Sequence, residues 1–374
     1  MTIGVPWELT DGETRVALVP DAAKRLVALG AEVCVESGIG RDIGLSDADY
    51  EAAGAGVCGE RREVLAKSDL VLRVQKPALS ELEMLRPNSL QLGLMDPFDS
   101  PDLIRALAQG RFSAIAMELI PRITRAQKMD VLSSQANLAG YVSVVLAADQ
   151  LNRIFPMMTT AAGTIAPARV FVLGAGVAGL QAIATAKRLG ARVEAYDVRP
   201  EVAEQVQSVG GKFVKIDVGE TSSTKDGYAK ALTPVQIKRQ QEALAAVCAR
   251  SDVVITTANV FGGKAPLLVT GAMLDGMKPG SVVIDLAVES GGNVEGVNLD
   301  HIIDRQGVKL VGYSNLPSRV PIPASQVYAA NLVALIEEFW NRDEKRFELK
   351  PDDEILKSCL LTHEGKIVNE RFQS

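Results

Sequence analysis

The chain predicts an α/β fold of two doubly wound parallel-sheet domains, the first of them discontinuous. That prediction rests on three features. Short apolar, β-branched runs alternate with helical patterns along most of the 374 residues, which is the alternation of βαβ units. A glycine run, Gly174-Ala-Gly176-Val-Ala-Gly179, breaks the pattern in mid-chain, between an apolar run and a helical one. A late helical pattern, Ser325 to Asn341, carries the chain back after the second domain is complete. The expected domains are therefore 1–135 plus 320–374, and 136–319.

In the first domain, strands are expected at 2–6, 31–36, 69–74, 89–94 and 112–118, with helices at 20–29, 60–67 and 100–109. Asp21 opens the first helix and Gly30 closes it, as helix-end chemistry requires. A polar segment, Pro121 to Ser134, precedes a long helix expected from about Gln135 to Arg153. The second domain repeats the alternation, with strands expected at 169–173, 192–196, 212–216, 253–257, 281–286 and 308–312 and a helix around His301. The stretch 217–233 is rich in Gly, Ser, Thr, Asp and Lys and has no apolar period. It is long for a loop in an α/β unit, so it reads as a functional flap or a disordered insert.

Composition narrows the function. The net charge of −6 argues against nucleic acid as a partner. Four scattered cysteines without a CxxC suggest a reducing compartment and no disulfide or zinc framework. Two histidines, His301 and His363, are too far apart for a His-rich metal site. The uncharged stretches 131–148 and 170–186 are short for membrane spans and read as buried elements. No leader is visible ahead of the strand-like Thr2-Ile-Gly-Val5.

The glycine run has a dinucleotide reading. Gly174 permits the tight turn, Gly176 lets the backbone approach a pyrophosphate, and Gly179 packs the helix on its strand. The helix N-terminus behind them supplies free N–H groups and positive potential. About 20 residues on, the strand Arg192-Val-Glu-Ala-Tyr ends in Asp197. A carboxylate there accepts a ribose diol and repels a 2′-phosphate, so the Rossmann-like second domain is expected to take NAD over NADP. A bound dinucleotide implies hydride transfer. A dehydrogenase of small alcohols or amines also needs a general base, and neither histidine is well placed. The richest polar cluster is Arg122, Gln127, Asp130 and Ser133. The spacing from Gln127 on puts side chains on one face of a turn or nascent helix. It offers donors and acceptors but no obvious base, and a solvated linker is the bland alternative.

These residues carry a family resemblance. The stretch PRITRAQKMDVLSSQANLAGY (121–141) resembles the signature of the NAD(H)-binding domain of proton-translocating nicotinamide nucleotide transhydrogenases. Further similarity runs through Gly4-Val-Pro, Glu13-Thr-Arg15-Val16, Val74-Gln-Lys-Pro77, the glycine run, Tyr196-Asp-Val-Arg199, Asp226-Gly-Tyr228-Ala-Lys230, Lys278 to Ala287 and Gly291-Gly-Asn293. The resemblance implies NAD(H) on this chain and NADP(H) on a partner subunit, with hydride passing between them and a membrane domain moving protons. It implies that Arg122, Gln127, Asp130 and Ser133 serve the nicotinamide end. Gly174, Gly176 and Gly179 would cradle the pyrophosphate, with Val177 beside it. Asp197, Val198 and Arg199 would surround the adenosine ribose, Gly227 and Tyr228 would sit on a closing flap, and Gln240 would be a further nucleotide contact. No metal is implied. The partners implied are a second copy, an NADP(H)-binding domain and membrane subunits. The location implied is cytoplasmic and peripheral on the inner membrane, without direct insertion.

Alanine dehydrogenase is the related alternative. It shares Arg15 but uses a Lys in a KVKEP-like motif and a His on the following strand. Here Gln75 stands at the lysine position, and no histidine precedes His301. A catalytically inactive NAD sensor is the non-enzyme alternative. Two segments depart from the transhydrogenase pattern, Ala258 to Lys264 and Gly93 to Phe98.

Overall fold

The computed structural model describes residues 1–216 and 233–373. The chain divides into two compact units, Met1–Gln135 with Ser318–Ser374, and Ala136–Pro317.

In the first unit, six strands run parallel in the order Ser113–Ala116, Leu90–Gly93, Leu70–Leu72, Thr2–Val5, Glu32–Glu36 and Gly56–Cys58. Leu360–His363 adds antiparallel to Ser113–Ala116, and Lys366–Ile367 pairs antiparallel beyond it. Most of these strands are buried on both faces, so they read as apolar runs with no alternation. The helix Pro20–Ala28 starts with proline at its first turn, buries Ala22, Ala23 and Leu26, and stops before Gly30 at φ +88°. The helix Pro321–Glu338 buries Tyr328, Leu332 and Leu335 in this unit.

In the second unit, the sheet order is Lys212–Phe213, Arg192–Tyr196, Arg169–Leu173, Val253–Thr256, Val282–Asp285, Val308–Val311 and Ile302–Arg305. All pairs are parallel except the last. This is a dinucleotide-fold order, with its switch point between Arg169–Leu173 and Val253–Thr256. Alternation along Arg169–Leu173 sends Val170 and Val172 into one core and Phe171 and Leu173 into the other.

Four expectations are corrected. The long helix is Val131–Gln150, starting four residues early because Asp130 caps it. It is long and apolar enough to cross a membrane by length and composition, yet Val144 and Ala147 pack into the second unit's core. The strand expected at 212–216 is only Lys212–Phe213. The expected helix around His301 is an antiparallel strand, Ile302–Arg305, formed because a tight turn at Gln306 and Gly307, both at positive φ, folds it onto Val308–Val311. Cys34 and Cys58 are joined as a disulfide, with Cα atoms 6.6 Å apart. Their 24-residue separation hides that parallel pairing sets the two strands side by side.

Candidate nucleotide-binding site

The glycine turn lies at the carboxyl end of Arg169–Leu173, beside the switch point, where open α/β sheets bind their ligands. Gly174 has φ +100°, and a Cβ there would lie 2.5 Å from Thr257 Oγ1. A Cβ on Gly179 would collide with the Gly174 carbonyl oxygen, so the helix Val177–Arg188 can seat on the turn only with glycine. Gly176 differs, because a Cβ on it would meet nothing within 4 Å. It is the N-cap of that helix, and no side chain caps the helix's first N–H groups. An uncapped helix N-terminus behind open ground fits a dinucleotide pyrophosphate. Val177, in the first turn, is exposed.

Asp197 does two things. Its Oδ2 accepts the Ala175 N–H at 2.8 Å, which ties the acid to the glycine turn. Its Oδ1 accepts the Arg199 backbone N–H and Nε–H, each at 2.9 Å, and Arg199 Nη2 donates to Oδ2 at 2.8 Å. The hydrogen bond to Asp197 raises the guanidinium pKa further above its ordinary range. Every lobe of the carboxylate is thus engaged, and Arg199 stands where a ribose diol would donate. Val198 between them is half-buried. Gln240 is buried, and its Nε2 donates to the Tyr196 hydroxyl at 3.2 Å, so it supports the strand that carries Asp197. Gly227 and Tyr228, with the expected flap, lie outside the described residues.

Sequence reasoning missed a buried hub at the next strand ends. Asp285 closes Val282–Asp285 and is 1% exposed. It accepts from Thr256 Oγ1 and from the N–H groups of Ala287, Asn293 and Val294, at 2.7–3.1 Å. Burial nonetheless pushes its carboxyl above the usual range. Asn293 relays the hub onward: its amide donates to the Ala258 and Pro266 carbonyls, and its Oδ1 accepts the Ala258 N–H. Thr257 then donates to the Gly174 carbonyl at 3.1 Å. The divergent 258–264 segment is therefore anchored at both ends to residues of the glycine-turn edge. The acid ending an apolar strand, followed by Gly-Gly-Asn, was the available signal.

The polar loop belongs to the first unit. Thr124–Met129 is a short 3-10 turn in which Gln127 is exposed, and Arg122 just before it is exposed too. Asp130 accepts the Ser133 N–H at 2.8 Å and the Ser133 hydroxyl at 2.6 Å, an N-capping pair for Val131–Gln150. The structure thus joins Asp130 to Ser133 and leaves Gln127 on a separate turn, correcting the single face that the spacing suggested.

The same unit holds a closed ionic cluster. Glu13 Oε1 accepts from Arg15 N–H, Arg15 Nε and Ser318 Oγ, and its Oε2 accepts from Arg15 Nη2 and Gln75 Nε2. Arg15 Nη1 donates to Gln135 Oε1 at 2.9 Å. Although burial opposes it, hydrogen bonds and charge from Arg15 hold the Glu13 carboxyl at about 2. Neither histidine offers a base: His301 is exposed against the Leu299 carbonyl, and the His363 ring meets the Ser113 hydroxyl.

Fold and site define a class, the two-unit α/β proteins with a dinucleotide turn in the second unit. Family models for the alanine dehydrogenase/PNT N-terminal and C-terminal domains match residues 4–139 and 143–370. The chain is 44% identical to an NAD(P) transhydrogenase alpha subunit of Rhodospirillum rubrum, over 99% of this chain and 98% of that protein. The solved transhydrogenase from Sinorhizobium meliloti is 44% identical and superposes with a TM-score of 0.89, over 98% of this chain and 100% of the other. An alanine dehydrogenase of Methanococcus maripaludis is more distant, 26% identical over 99% of this chain and 95% of its own length. The chain belongs to the alanine dehydrogenase/PNT family, and within it to the NAD(P) transhydrogenase alpha subunits.

Proposed function

We propose that this chain binds NAD(H) at the Gly174–Gly179 turn and passes hydride to or from NADP(H) held by a partner subunit of the transhydrogenase complex. The observation that carries the nucleotide is the open ground at Gly176 before an uncapped helix N-terminus. In this reading Gly174, Gly176, Gly179 and Val177 hold the pyrophosphate. Asp197, Val198 and Arg199 hold the adenosine ribose, with Gln240 supporting them through Tyr196. Gly227 and Tyr228 close the site. Bound nicotinamide supplies the hydride. Arg122, Gln127, Asp130 and Ser133 orient its amide and ribose, which favours transfer by positioning. No general base is required, because hydride passes between two nicotinamides.

Alanine oxidation is disfavoured by the ionic cluster. An arginine meant for a substrate carboxylate must be available, and the Arg15 guanidinium is engaged by Glu13 and Gln135. Gln75, where the dehydrogenase carries lysine, is bound to Glu13 as well.

The assembly reading is a homodimer, peripheral on the cytoplasmic side of the inner membrane through membrane subunits that move protons. The hairpin Met158–Thr160/Gly163–Ile165 is exposed throughout, and Met157, Met158 and Ile165 present apolar surface of the kind that docks a second copy.

The test is a mixing assay. The full chain with NADP(H)-binding partner subunits is expected to catalyse exchange between NADH and NADP+. NADH binding without exchange would favour the sensor, and turnover of NAD+ with L-alanine alone would favour the dehydrogenase. Gln127→Asn is expected to keep NADH affinity and slow transfer; weakened binding with normal transfer would remove its role.

A further inference from the structure

The helix Pro321–Glu338 is apolar almost throughout, yet it buries three polar side chains at three-residue spacing, Ser325, Tyr328 and Asn331. That spacing places them along one face. Each is bonded to a different loop of the first unit. Ser325 Oγ accepts the Val16 N–H at 3.0 Å. The Tyr328 hydroxyl donates to the Arg73 carbonyl at 2.9 Å. Asn331 Nδ2 donates to the Lys128 carbonyl at 2.8 Å, while its Oδ1 accepts the Ser134 hydroxyl at 2.7 Å. Asparagine is a poor helix former, and at 8% exposure its amide has to be satisfied inside the protein.

Asn331 grips both ends of one short stretch. Lys128 is the residue after Gln127, and Ser134 is the residue after Ser133. Between them lie Met129, buried, and the Asp130–Ser133 capping pair. The amide of one side chain thus spans the 3-10 turn that carries Gln127 and the helix start that carries Asp130 and Ser133. Its two bonds need opposite chemistry, a donor toward Lys128 and an acceptor toward Ser134, which an amide supplies and a carboxylate does not.

We propose that Asn331 is a positioning residue for hydride transfer, fixing Gln127, Asp130 and Ser133 relative to one another. This rests on the reading that the polar loop serves the nicotinamide end. Asn331 acts through the loop backbone and touches no nucleotide.

The decisive variant is Asn331→Asp, which keeps size and the acceptor but sets an oxygen against the Lys128 carbonyl. In the nucleotide-free chain, amide hydrogen exchange is expected to quicken across 126–134 and to stay unchanged around the glycine turn. NADH affinity is expected to stay within about twofold, and transfer to NADP+ with partner subunits to fall about tenfold or more, a loss of orientation. Ser134→Ala, which removes one of the two bonds, is expected to fall between. Ser325→Ala removes a comparable buried bond from the same helix and controls for stability; its transfer rate is expected to match wild type. Transfer at full rate in Asn331→Asp, or an equal loss in Ser325→Ala, overturns the proposal while the functional reading stands. A wild-type chain that transfers no hydride with its partners overturns the functional reading, and the role of Asn331 falls with it.

Discussion

Replacing Asp197 with alanine separates its two roles. The carboxylate accepts four N–H donors, one from Ala175 and three from Arg199. Asp197→Ala orphans the Ala175 amide, at a residue 1% exposed, and an unpaired buried donor costs about 1–3 kcal/mol. It also removes the acceptor for a ribose diol. Hydrogen bonds to a charged group contribute about 1.5–3 kcal/mol, so NADH affinity should fall at least about tenfold. The change releases the Arg199 guanidinium, which can then fork onto a 2′-phosphate with a contribution of similar size. Adding the two low-end values gives about 3 kcal/mol, so the NADH-to-NADPH preference should swing by about 100-fold or more. Titration of the intact chain with each nucleotide, by calorimetry or nicotinamide fluorescence, measures that ratio directly. Equal losses for both nucleotides, with an unchanged ratio, would refute the ribose role and leave Asp197 as an anchor of the glycine turn alone.

Asn293→Ala removes three hydrogen bonds from a fully buried site. It should destabilise the chain by about 2–4 kcal/mol and weaken NADH; unaltered denaturation midpoints would contradict the hub. Burial pushes the Glu8 and Glu118 carboxyls up to about 7. A carboxyl raised in the fold contributes stability fully below its unfolded value and loses it as pH rises through the folded one. Stability should therefore decline between about pH 4.5 and pH 7, and Glu118→Gln should flatten the decline in thermal scans; parallel curves would dismiss the assignment. Met158→Asp, on the exposed hairpin, should shift the chain toward monomer in sedimentation without loss of NADH affinity, and an unmoved dimer would take the hairpin out of the interface.

Much of the second unit was legible because its signals are local. A β-branched strand, three glycines and a terminal acid are contiguous or close in sequence, and each constrains its neighbours sterically. Gly179, for example, is dictated by the Gly174 carbonyl five residues away. What stayed hidden depends on side chains meeting across long separations. Arg199 was legible as a neighbour of the ribose but not as the ion that saturates Asp197. Asn331 lies about 200 residues from the loop it grips, and no period or composition reveals such a bond. Cys34 and Cys58 look isolated until strand pairing aligns them. The spacing of Gln127, Asp130 and Ser133 misled because a 3-10 turn and an α-helix meet between them.

The return of the chain to its first unit has a consequence during synthesis. Strand Ser113–Ala116 waits for Leu360–His363, about 240 residues later in translation. At about 5–20 residues per second, that edge stands open for roughly 10–50 s. The nucleotide-binding unit is uninterrupted in sequence and can complete its core first. The residues that leave the ribosome earliest are thus the last to be sealed, and until then an unpaired apolar edge is open to any passing strand.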